Sequence, residues 1–378
     1  MQSPGKTHTN RAAYLTEAKA YPLVVKDAPY TKPGPGELVI RNAAIALNPI
    51  DYIKQLKGQL VFPESQYPLV LGWDMAGEVV ETGEGITRFR PGDRVVAIGD
   101  SDCKRNPESG FQLYTVLKEQ FTAPIPGSMS FEQASVMPLG VVTASAALFE
   151  SKHLGLRLPQ PGGNQALGQE ADKREIVLIW GGSTSVGCNA IQLAVAAGYE
   201  VLTTCSPKNF DLVKSLGASQ AFDYRRPGVV ADIVAAIGKQ SVAGAVAIGP
   251  QSGCKCMDVL KRCQGSKSVV MVSFPMPENP DAGMVSTVYH YATGTAGLAI
   301  KALRTGTKTS TVFADPKVEG VGKAVWEGFL PEALASGRYV AAPTPQVVGH
   351  GLEDIQAGLD MLKKGVSAKK LVISLSTQ

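Results

Sequence analysis

Long apolar runs and clusters of like charge are missing from this sequence. Its longest apolar segments, such as Ile176–Trp180, have the length of a strand, whereas crossing a bilayer takes roughly 20 apolar residues. The formal net charge at pH 7 is only +4, and no block of lysine and arginine indicates a nucleic-acid or membrane surface. The polar start, MQSPGKTHTN, does not resemble a secretory signal, so we expect a cytoplasmic protein that binds neither nucleic acid nor membrane.

Cysteine and histidine are scarce as well, with six cysteines and four histidines in 378 residues. Only Cys254 and Cys256 lie close together, in a C-x-C spacing without a matching second pair, and Cys103 stands alone. Because a disulfide framework or a zinc knuckle needs several suitably spaced thiols, we expect reduced cysteines.

The length of the chain is sufficient for two domains. Short alternating segments separated by turn signals, as in Arg90-Pro91-Gly92-Asp93, predict a partly open, strand-rich barrel over the first 130 residues or so. A helix is predicted over 132–150, and the Pro/Gly/Gln-rich segment 159–172 predicts an exposed loop. Strand and helix patterns then alternate from 176 to 273, which implies a parallel doubly wound sheet.

The strand Ile176–Trp180 leads into Gly181-Gly182-Ser183-Thr184-Ser185-Val186-Gly187 and then a helical pattern. A strand that turns into a helix N-terminus presents backbone N–H groups and the positive end of the helix dipole to a pyrophosphate. Compared with G-x-G-x-x-G, Thr184 replaces the middle glycine. The turn alone fits a structural role equally well, but its place at the head of a strand–helix alternation favours a dinucleotide site.

The segment after the second predicted strand decides which dinucleotide is bound. An acidic residue there would bind an unphosphorylated ribose, yet no acid precedes Asp211. The donors of Ser206, Lys208 and Asn209 suit a 2′-phosphate and predict NADPH. The alternative is that Ser206 only caps the next helix and Lys208 is a solvated charge. Tyr224 is a candidate contact to the adenosine half, or a plain aromatic at a strand end.

Several motifs together resemble the medium-chain dehydrogenase/reductase superfamily over nearly the whole chain. They are residues 72–79 (GWDMAGEV), 89–95 (FRPGDRV), the glycine turn and the closing 369–372 (KKLV). Asn48-Pro49-Ile50-Asp51, residues 204–210 and residues 222–224 are similar to the zinc-independent, quinone reductase-like branch, and in particular to fungal trans-acting enoyl reductases of polyketide biosynthesis, the lovastatin type. The resemblance implies an α/β fold, with a Rossmann doubly wound parallel sheet in 141–311 and a strand-rich GroES-like barrel domain in 1–140 and 312–378.

The resemblance also implies a set of site residues. The expected cofactor contacts are Pro49, Ile50, Asp51, Tyr52, Ser183, Thr184, Ser185, Val186, Ser206, Pro207, Lys208, Asn209, Tyr224, Val272, Ser273 and Leu371. The expected substrate contacts are Pro138, Leu139, Gly140, Val141, Val142, Thr143, Ala144, Ser145, Tyr291 and Ala292. Tyr52 and Lys54 are candidate proton donors, and Thr143 is a candidate contact to an oxyanion or a ribose.

Departures from the superfamily pattern are informative too. Zinc-dependent members carry a cysteine near Asn48 and a histidine–glutamate pair near Trp73 and Asp74, and the residues present here cannot supply that set, so we expect no metal. Leu60 stands where several enoyl reductases have a tyrosine, and Ala247 where relatives commonly have an aspartate.

These features predict an NADPH-dependent enoyl or enone reductase, because conjugate reduction needs no Lewis acid. A small-molecule or carrier-bound acyl substrate, a polyketide synthase as a candidate partner, and a monomer or homodimer complete the expectation. Two alternatives stay open: a reductase of free quinones, carbonyls or alcohols, and a non-catalytic NADPH-binding protein.

Overall fold

The computed structural model divides into two compact units, described here separately. The first contains the described residues of Met1–Pro138, Pro345–Val366 and Lys370–Gln378, and the second those of Leu139–Thr344 and Ser367–Lys369. The residues that the structure describes are 8–60, 65–99, 105–160, 174–277, 279–312 and 320–375.

The described residues form strands and helices along the whole chain. The strands are β1 (Asn10–Leu15), β2 (Val24–Ala28), β3 (Glu37–Ala46), β4 (Leu69–Val70), β5 (Asp74–Thr82), β6 (Arg94–Ile98), β7 (Tyr114–Lys118), β8 (Thr122–Pro124), β9 (Ile176–Trp180), β10 (Glu200–Cys205), β11 (Gln220–Asp223), β12 (Ser241–Ala247), β13 (Gln264–Gly265), β14 (Ser268–Met271), β15 (Lys308–Thr311), β16 (Thr344–Gly349) and β17 (Lys369–Ser374). The helices are α1 (Pro49–Lys57), α2 (Phe131–Ser135), α3 (Pro138–Phe149), α4 (Ser185–Ala196), α5 (Phe210–Ser215), α6 (Val229–Ile237), α7 (Ser252–Leu260), α8 (Met284–Thr305), α9 (Val321–Lys323), α10 (Leu330–Ala335) and α11 (Ile355–Lys363), with a π-helix over Ala324–Phe329.

The first unit is built on a sheet with the strand order β16-β17-β3-β5-β6-β8, in which β7 also pairs with β3. A smaller sheet has the order β2-β1-β4. Alternate side chains of the large sheet, among them Leu38 and Ile40 of β3 and Met75 and Val79 of β5, form a buried core cluster. This two-residue period is the one expected for strands with a single buried face, and it accounts for the predicted strand-rich domain.

The second unit is built on a parallel sheet with the order β11-β10-β9-β12-β14-β15. In order along the chain this is 3-2-1-4-5-6, the arrangement of doubly wound dinucleotide-binding sheets. Its central strand β9 is completely apolar and buried on both faces, as a parallel strand covered by helices requires. The predicted fold class is therefore confirmed.

The structure places residues 320–344 in the second unit, whereas the sequence analysis expected everything beyond 311 in the barrel domain. Contacts to α4 explain this placement. The buried Tyr339 hydroxyl donates to Asn189 Oδ1 at 2.5 Å, and Val340 N–H donates to Gln192 Oε1 at 2.8 Å.

Three predicted elements differ in detail from the observed ones. The helix predicted over 132–150 is split into α2 and α3, because Pro138 starts a new helix at a position where its missing N–H costs nothing. The 22-residue α8 was not predicted, since only Thr287 and Ala302 of it are buried and its apolar periodicity is weak. Residues 161–172 of the predicted loop lie outside the described residues. Among the described helices, none is both long and apolar enough to cross a membrane.

Candidate cofactor and active site

The carboxyl ends of the parallel strands bring the predicted cofactor segments of the second unit to one sheet edge. Thr204 of β10 lies beside Trp180 of β9, and Ala247 of β12 lies beside both Trp180 and Met271. The chain crosses from one half of the sheet to the other between β9 and β12, and in open α/β sheets ligands bind outside the strands at this switch point.

The glycines at the outer positions of the predicted fingerprint are required by close contacts. A Cβ added at Gly182 would lie 2.1 Å from Thr203 Oγ1, and one at Gly187 would lie 2.3 Å from the carbonyl oxygen of Gly181. Both distances are far below van der Waals contact. Any larger residue would therefore push α4 away from β9 and displace the helix N-terminus from the sheet edge.

Thr184 caps α4 with its own side chain. Its Oγ1 accepts a hydrogen bond from Gly187 N–H at 3.0 Å and donates to the Gly181 carbonyl at 2.8 Å. The residue that replaces the middle glycine thus holds the turn, while Ser185 and Val186 belong to the first turn, whose N–H groups an α-helix leaves without a partner. These groups suit a pyrophosphate.

The hydroxyl of Ser185 supports the same conclusion. It is buried and has no hydrogen-bond partner among the described residues, which is costly unless a ligand supplies one. A Cβ added at Gly140 would lie 2.9 Å from this Oγ, so α3, which carries predicted substrate residues, begins beside the glycine turn. The residues present at this helix end fit a dinucleotide.

The turn after β10 is joined to the glycine turn by a side chain. Asn209 Nδ2 donates to Ser183 Oγ at 3.2 Å, so residues predicted for the ribose phosphate and for the pyrophosphate do come together. Ser206 precedes a short 3₁₀ helix with Pro207 at its start but makes no side-chain cap, which speaks against a role as a cap alone. Lys208 is exposed and free to reach an anion at this edge.

Tyr224 leaves β11 at the level at which Ser206 leaves β10, because Cys205 and Asp223 are register partners. The ring is 39% exposed, and the Arg225 guanidinium lies 4.9 Å from its centroid. Arg225, the second residue after β11, was not among the predicted site residues, and it places a second cation at this edge of the sheet.

The predicted contacts after β14 and on α8 lie in different surroundings. Ser273 Oγ accepts a hydrogen bond from Gly249 N–H at 2.8 Å, and Val272 N–H donates to the Ala247 carbonyl. Tyr291 and Ala292 lie on exposed positions of α8, and Tyr291 is 47% exposed. That helix approaches the segment after Ser273 at Gly294, where an added Cβ would lie 2.4 Å from Pro275.

The predicted substrate residues of α3 are largely buried. Val141, Val142 and Ala144 are core residues, and the Ser145 hydroxyl has no hydrogen-bond partner among the described residues. Thr143 Oγ1 donates to the Leu139 carbonyl at 2.7 Å. To donate to an oxyanion, Thr143 would have to give up this bond within its own helix.

In the first unit, α1 carries the predicted proton donors. Tyr52 is half-buried, and burial raises the pKa of its hydroxyl, with a smaller lowering effect from the Lys363 charge. Lys54 is only 1% exposed. Pro49 opens this helix, and Leu371 lies in β17, where its carbonyl accepts from Leu47 N–H.

A buried ion pair lies at the start of α1. Lys370 Nζ is 2.9 Å from Asp74 Oδ2 and also donates to Asn48 Oδ1, while Asn48 Nδ2 donates to Asp74 Oδ2 at 3.0 Å. The resemblance placed zinc-ligand positions of zinc-dependent members near Asn48 and Asp74, and here both side chains bind an ammonium group. Sequence reasoning missed Lys370, although a lysine beside the apolar run of the closing strand was a signal.

Asp51 belongs to the same cluster. Its Oδ2 accepts a hydrogen bond from Asn48 N–H at 2.8 Å, and its carboxylate is completely buried. Burial, and to a lesser extent the Asp74 charge, raises its pKa to about 7, against the lowering effects of the Asn48 and Gly72 N–H groups and of Lys370. The carboxylate predicted to contact the cofactor thus caps α1, and the contact itself stays a prediction.

Among the described residues, no group of three or more His, Cys, Asp or Glu side chains is arranged to hold a metal ion. Cys103, which the sequence analysis considered for a structural zinc site, lies outside the described residues. The predicted absence of zinc therefore stays a prediction.

Known proteins resemble this chain over nearly all of its length. Residues 34–131 match the alcohol dehydrogenase GroES-like domain. The dehydrogenase pigH of Monascus ruber is 47% identical, with 97% of this chain and 100% of pigH covered. The enoyl reductase component lovC of the Aspergillus terreus lovastatin nonaketide synthase is 34% identical, with 90% of this chain and 89% of lovC covered.

A solved structure shares the fold. The CurK enoyl reductase aligns with a TM-score of 0.71 at 20% identity, over 97% of this chain and 99% of CurK. Members of this group are oxidoreductases that generally bind NAD(P)H. The chain therefore belongs to the medium-chain dehydrogenase/reductase superfamily, close to its fungal enoyl reductases.

Proposed function

We propose that this oxidoreductase uses NADPH, without zinc, to reduce activated carbon–carbon double bonds in enoyl or enone substrates. The observation that carries the proposal is the sheet edge of the second unit. There a capped helix N-terminus lies beside a turn that contains Ser206 and Lys208 and no acid before Asp211.

The preference for NADPH rests on charge. Lys208 is exposed, and Arg225 is held over Tyr224 at the end of the neighbouring strand. Two cations favour a phosphorylated ribose, while a carboxylate in the same turn would repel it. Asp223, the last residue of β11, is an acid close to Tyr224. Its Oδ1 already accepts a hydrogen bond from the backbone N–H of Arg225.

When bound, NADPH supplies a hydride. An activated alkene accepts hydride at the β-carbon and a proton at the α-carbon, and negative charge develops on the carbonyl oxygen. Tyr52 is the first candidate proton source, and burial, which raises the pKa of its hydroxyl, makes that hydroxyl a weaker acid than an exposed tyrosine. Lys54, buried in the same helix, is the second candidate.

Independence from zinc rests on Lys370. A zinc ion at Asn48 and Asp74 would have to displace a buried ammonium that both side chains already bind. Leaving that ammonium without its partners inside the protein would be strongly destabilising. The side chains at this position therefore favour a reaction that needs no Lewis acid, as conjugate reduction does.

A carrier-bound acyl chain is the proposed substrate class, and a polyketide synthase the proposed partner. The support is the likeness to lovC, which is by name a component of a synthase. A free enone could be reduced by the same chemistry without a partner protein. The carrier-bound and the free substrate would therefore use the same site.

The test uses NADPH deuterated at the transferable position, together with an enoyl thioester, a free enone and a quinone. Deuterium at the β-carbon of a saturated product supports the proposal. Deuterium on a carbinol carbon with the alkene intact, or turnover of the quinone alone, would replace it with a carbonyl or quinone reductase. Tight cofactor binding with no turnover of any substrate class would indicate a non-catalytic NADPH-binding protein.

A further inference from the structure

We propose that Lys370 is a positioning residue: through Asn48, its buried ammonium fixes the first turn of α1, which carries Tyr52 and Lys54. This inference rests on the proposed reductase function in so far as it concerns turnover. The local fixing of α1 can be measured without any substrate.

Three segments far apart in the chain meet at the ammonium group. Lys370 comes from β17, Asp74 from the start of β5, and Asn48 directly precedes α1. All three are at least nine-tenths buried. Lys370 lies 322 residues from Asn48 in sequence, so this contact is made by the fold and by no local pattern.

Asn48 passes this restraint to the helix. Its N–H donates to Asp51 Oδ2 at 2.8 Å, and its carbonyl accepts from Asp51 N–H at 3.0 Å. Tyr52 and Lys54 lie within one helical turn after Asp51. Because a helix is regular, the position of its first turn also sets the positions of these two residues. The later part of α1 has its own anchor, because Gln55 Nε2 donates to Gln356 Oε1 at 2.9 Å.

Stability alone is a weak reason for such an ion pair. Replacing a buried ion pair with neutral side chains of similar volume is often neutral or even stabilising, because removing two charges from water offsets their attraction. The pair does fix the relative positions of its members. Lys370, Asp74 and the Asn48 amide can all form their hydrogen bonds in only one arrangement. This favours a role in position over a role in global stability.

The test replaces both charges together with Lys370→Met plus Asp74→Asn, so that no unpaired charge is left buried. We expect thermal stability to stay close to that of the unaltered protein. The dissociation constant for NADPH should change far less than kcat, because most of the expected cofactor contacts lie in the second unit. Turnover should fall about 10²-fold in kcat with little change in KM, the scale of a small misplacement of reacting groups. Hydrogen exchange of the amides of α1, residues 50–57, should become faster.

A matched control removes another ion pair, with Lys301→Met plus Asp258→Asn. That pair has the same kinds of charge at 2.8 Å but joins α8 to α7 in the second unit. It should leave both kcat and exchange in residues 50–57 unchanged.

A second variant covers the case in which the double substitution does not fold. Asn48→Ala cuts the connection from Lys370 to the helix and leaves the ion pair with Asp74 in place, and it should give the same loss of kcat and the same faster exchange. Unchanged kcat and unchanged exchange in either folded variant would overturn the proposal. If the unaltered protein reduces no substrate, the proposed function fails, whereas hydrogen exchange still decides whether Lys370 fixes α1.

Discussion

Asn209 donates a hydrogen bond of 3.2 Å from its side chain to the hydroxyl of Ser183, and so joins the turn after β10 to the turn after β9. Because Asn209 is occupied in this way, the proposed contact to a 2′-phosphate is assigned to its exposed neighbour Lys208. This division of roles gives the first prediction a single residue to test.

Lys208→Ala should weaken NADPH binding by about 1.5–3 kcal/mol, the scale of a hydrogen bond to a charged group, and leave NADH binding unchanged. Fluorescence titration with both cofactors measures the two dissociation constants. Lys214→Ala removes an equally exposed lysine of α5 and should change neither. Equal losses for both cofactors would refute the assignment.

Thr184→Asp should separate cofactor binding from folding. Aspartate is a good N-cap and its charge favours a helix N-terminus, so the melting temperature should not fall. NADPH binding should be abolished, because the same charge repels the pyrophosphate. Thr184→Ser, which keeps the cap, should bind NADPH normally, and retained binding in the aspartate variant would place the pyrophosphate elsewhere.

Asp51 predicts a specific dependence of stability on pH. Burial raises its pKa from 3.8 to about 7. As the pH rises, the unfolded state therefore loses this proton at a lower pH than the folded state does. Its contribution to stability is therefore complete below about pH 4 and is lost as the pH rises through about 7, on the order of 4 kcal/mol in total. Asp51→Asn should gain stability relative to the unaltered protein over this interval.

Urea unfolding of both proteins at several values between pH 4 and pH 8 measures that difference. A gap that stays constant across the whole interval would show that Asp51 is ionised throughout. Asp93→Asn serves as the control for a partly exposed aspartate of the first unit, whose carboxylate accepts from Arg90 N–H and pairs with the Arg90 guanidinium.

The ion pair of Lys370 and Asp74 also leads to a prediction about zinc content. With the Lys370 ammonium bound to Asn48 and Asp74, the purified protein should contain no stoichiometric zinc, and chelator should not reduce its activity. Elemental analysis that finds one zinc per chain would contradict this expectation.

Tyr52→Phe should slow turnover by roughly 10²–10⁴-fold if its hydroxyl supplies the proton, since this is the range that general-acid catalysis contributes. NADPH binding should change far less than turnover, because phenylalanine keeps the half-buried ring and Tyr52 is one of many expected cofactor contacts. Single-turnover measurements with an enone report the chemical step directly. If Lys54→Met slows that step and Tyr52→Phe does not, the lysine is the donor.

Local sequence patterns were sufficient for the parallel sheet of the second unit. The predicted strand at 176–180 coincides with β9, and the predicted alternation from 176 to 273 contains amphipathic helices such as α6. Buried parallel strands and amphipathic helices show their periodicity within a few residues. The glycine turn was also recognisable from the sequence. Gly182 and Gly187 make close contacts with β10 and with the turn itself, and these contacts require glycine at fixed positions of the motif.

Other features of the protein could be seen only in the tertiary structure. The exposed α8 has no apolar stripe to reveal it, and residues 320–344 join the second unit through single side-chain contacts such as that of Tyr339 to Asn189. Sequence comparison marked Asn48 and Asp74 only as lost metal ligands. That a lysine from the last strand binds both of them depends on chain segments hundreds of residues apart, whose meeting is set by the packing of the whole unit and by no local period.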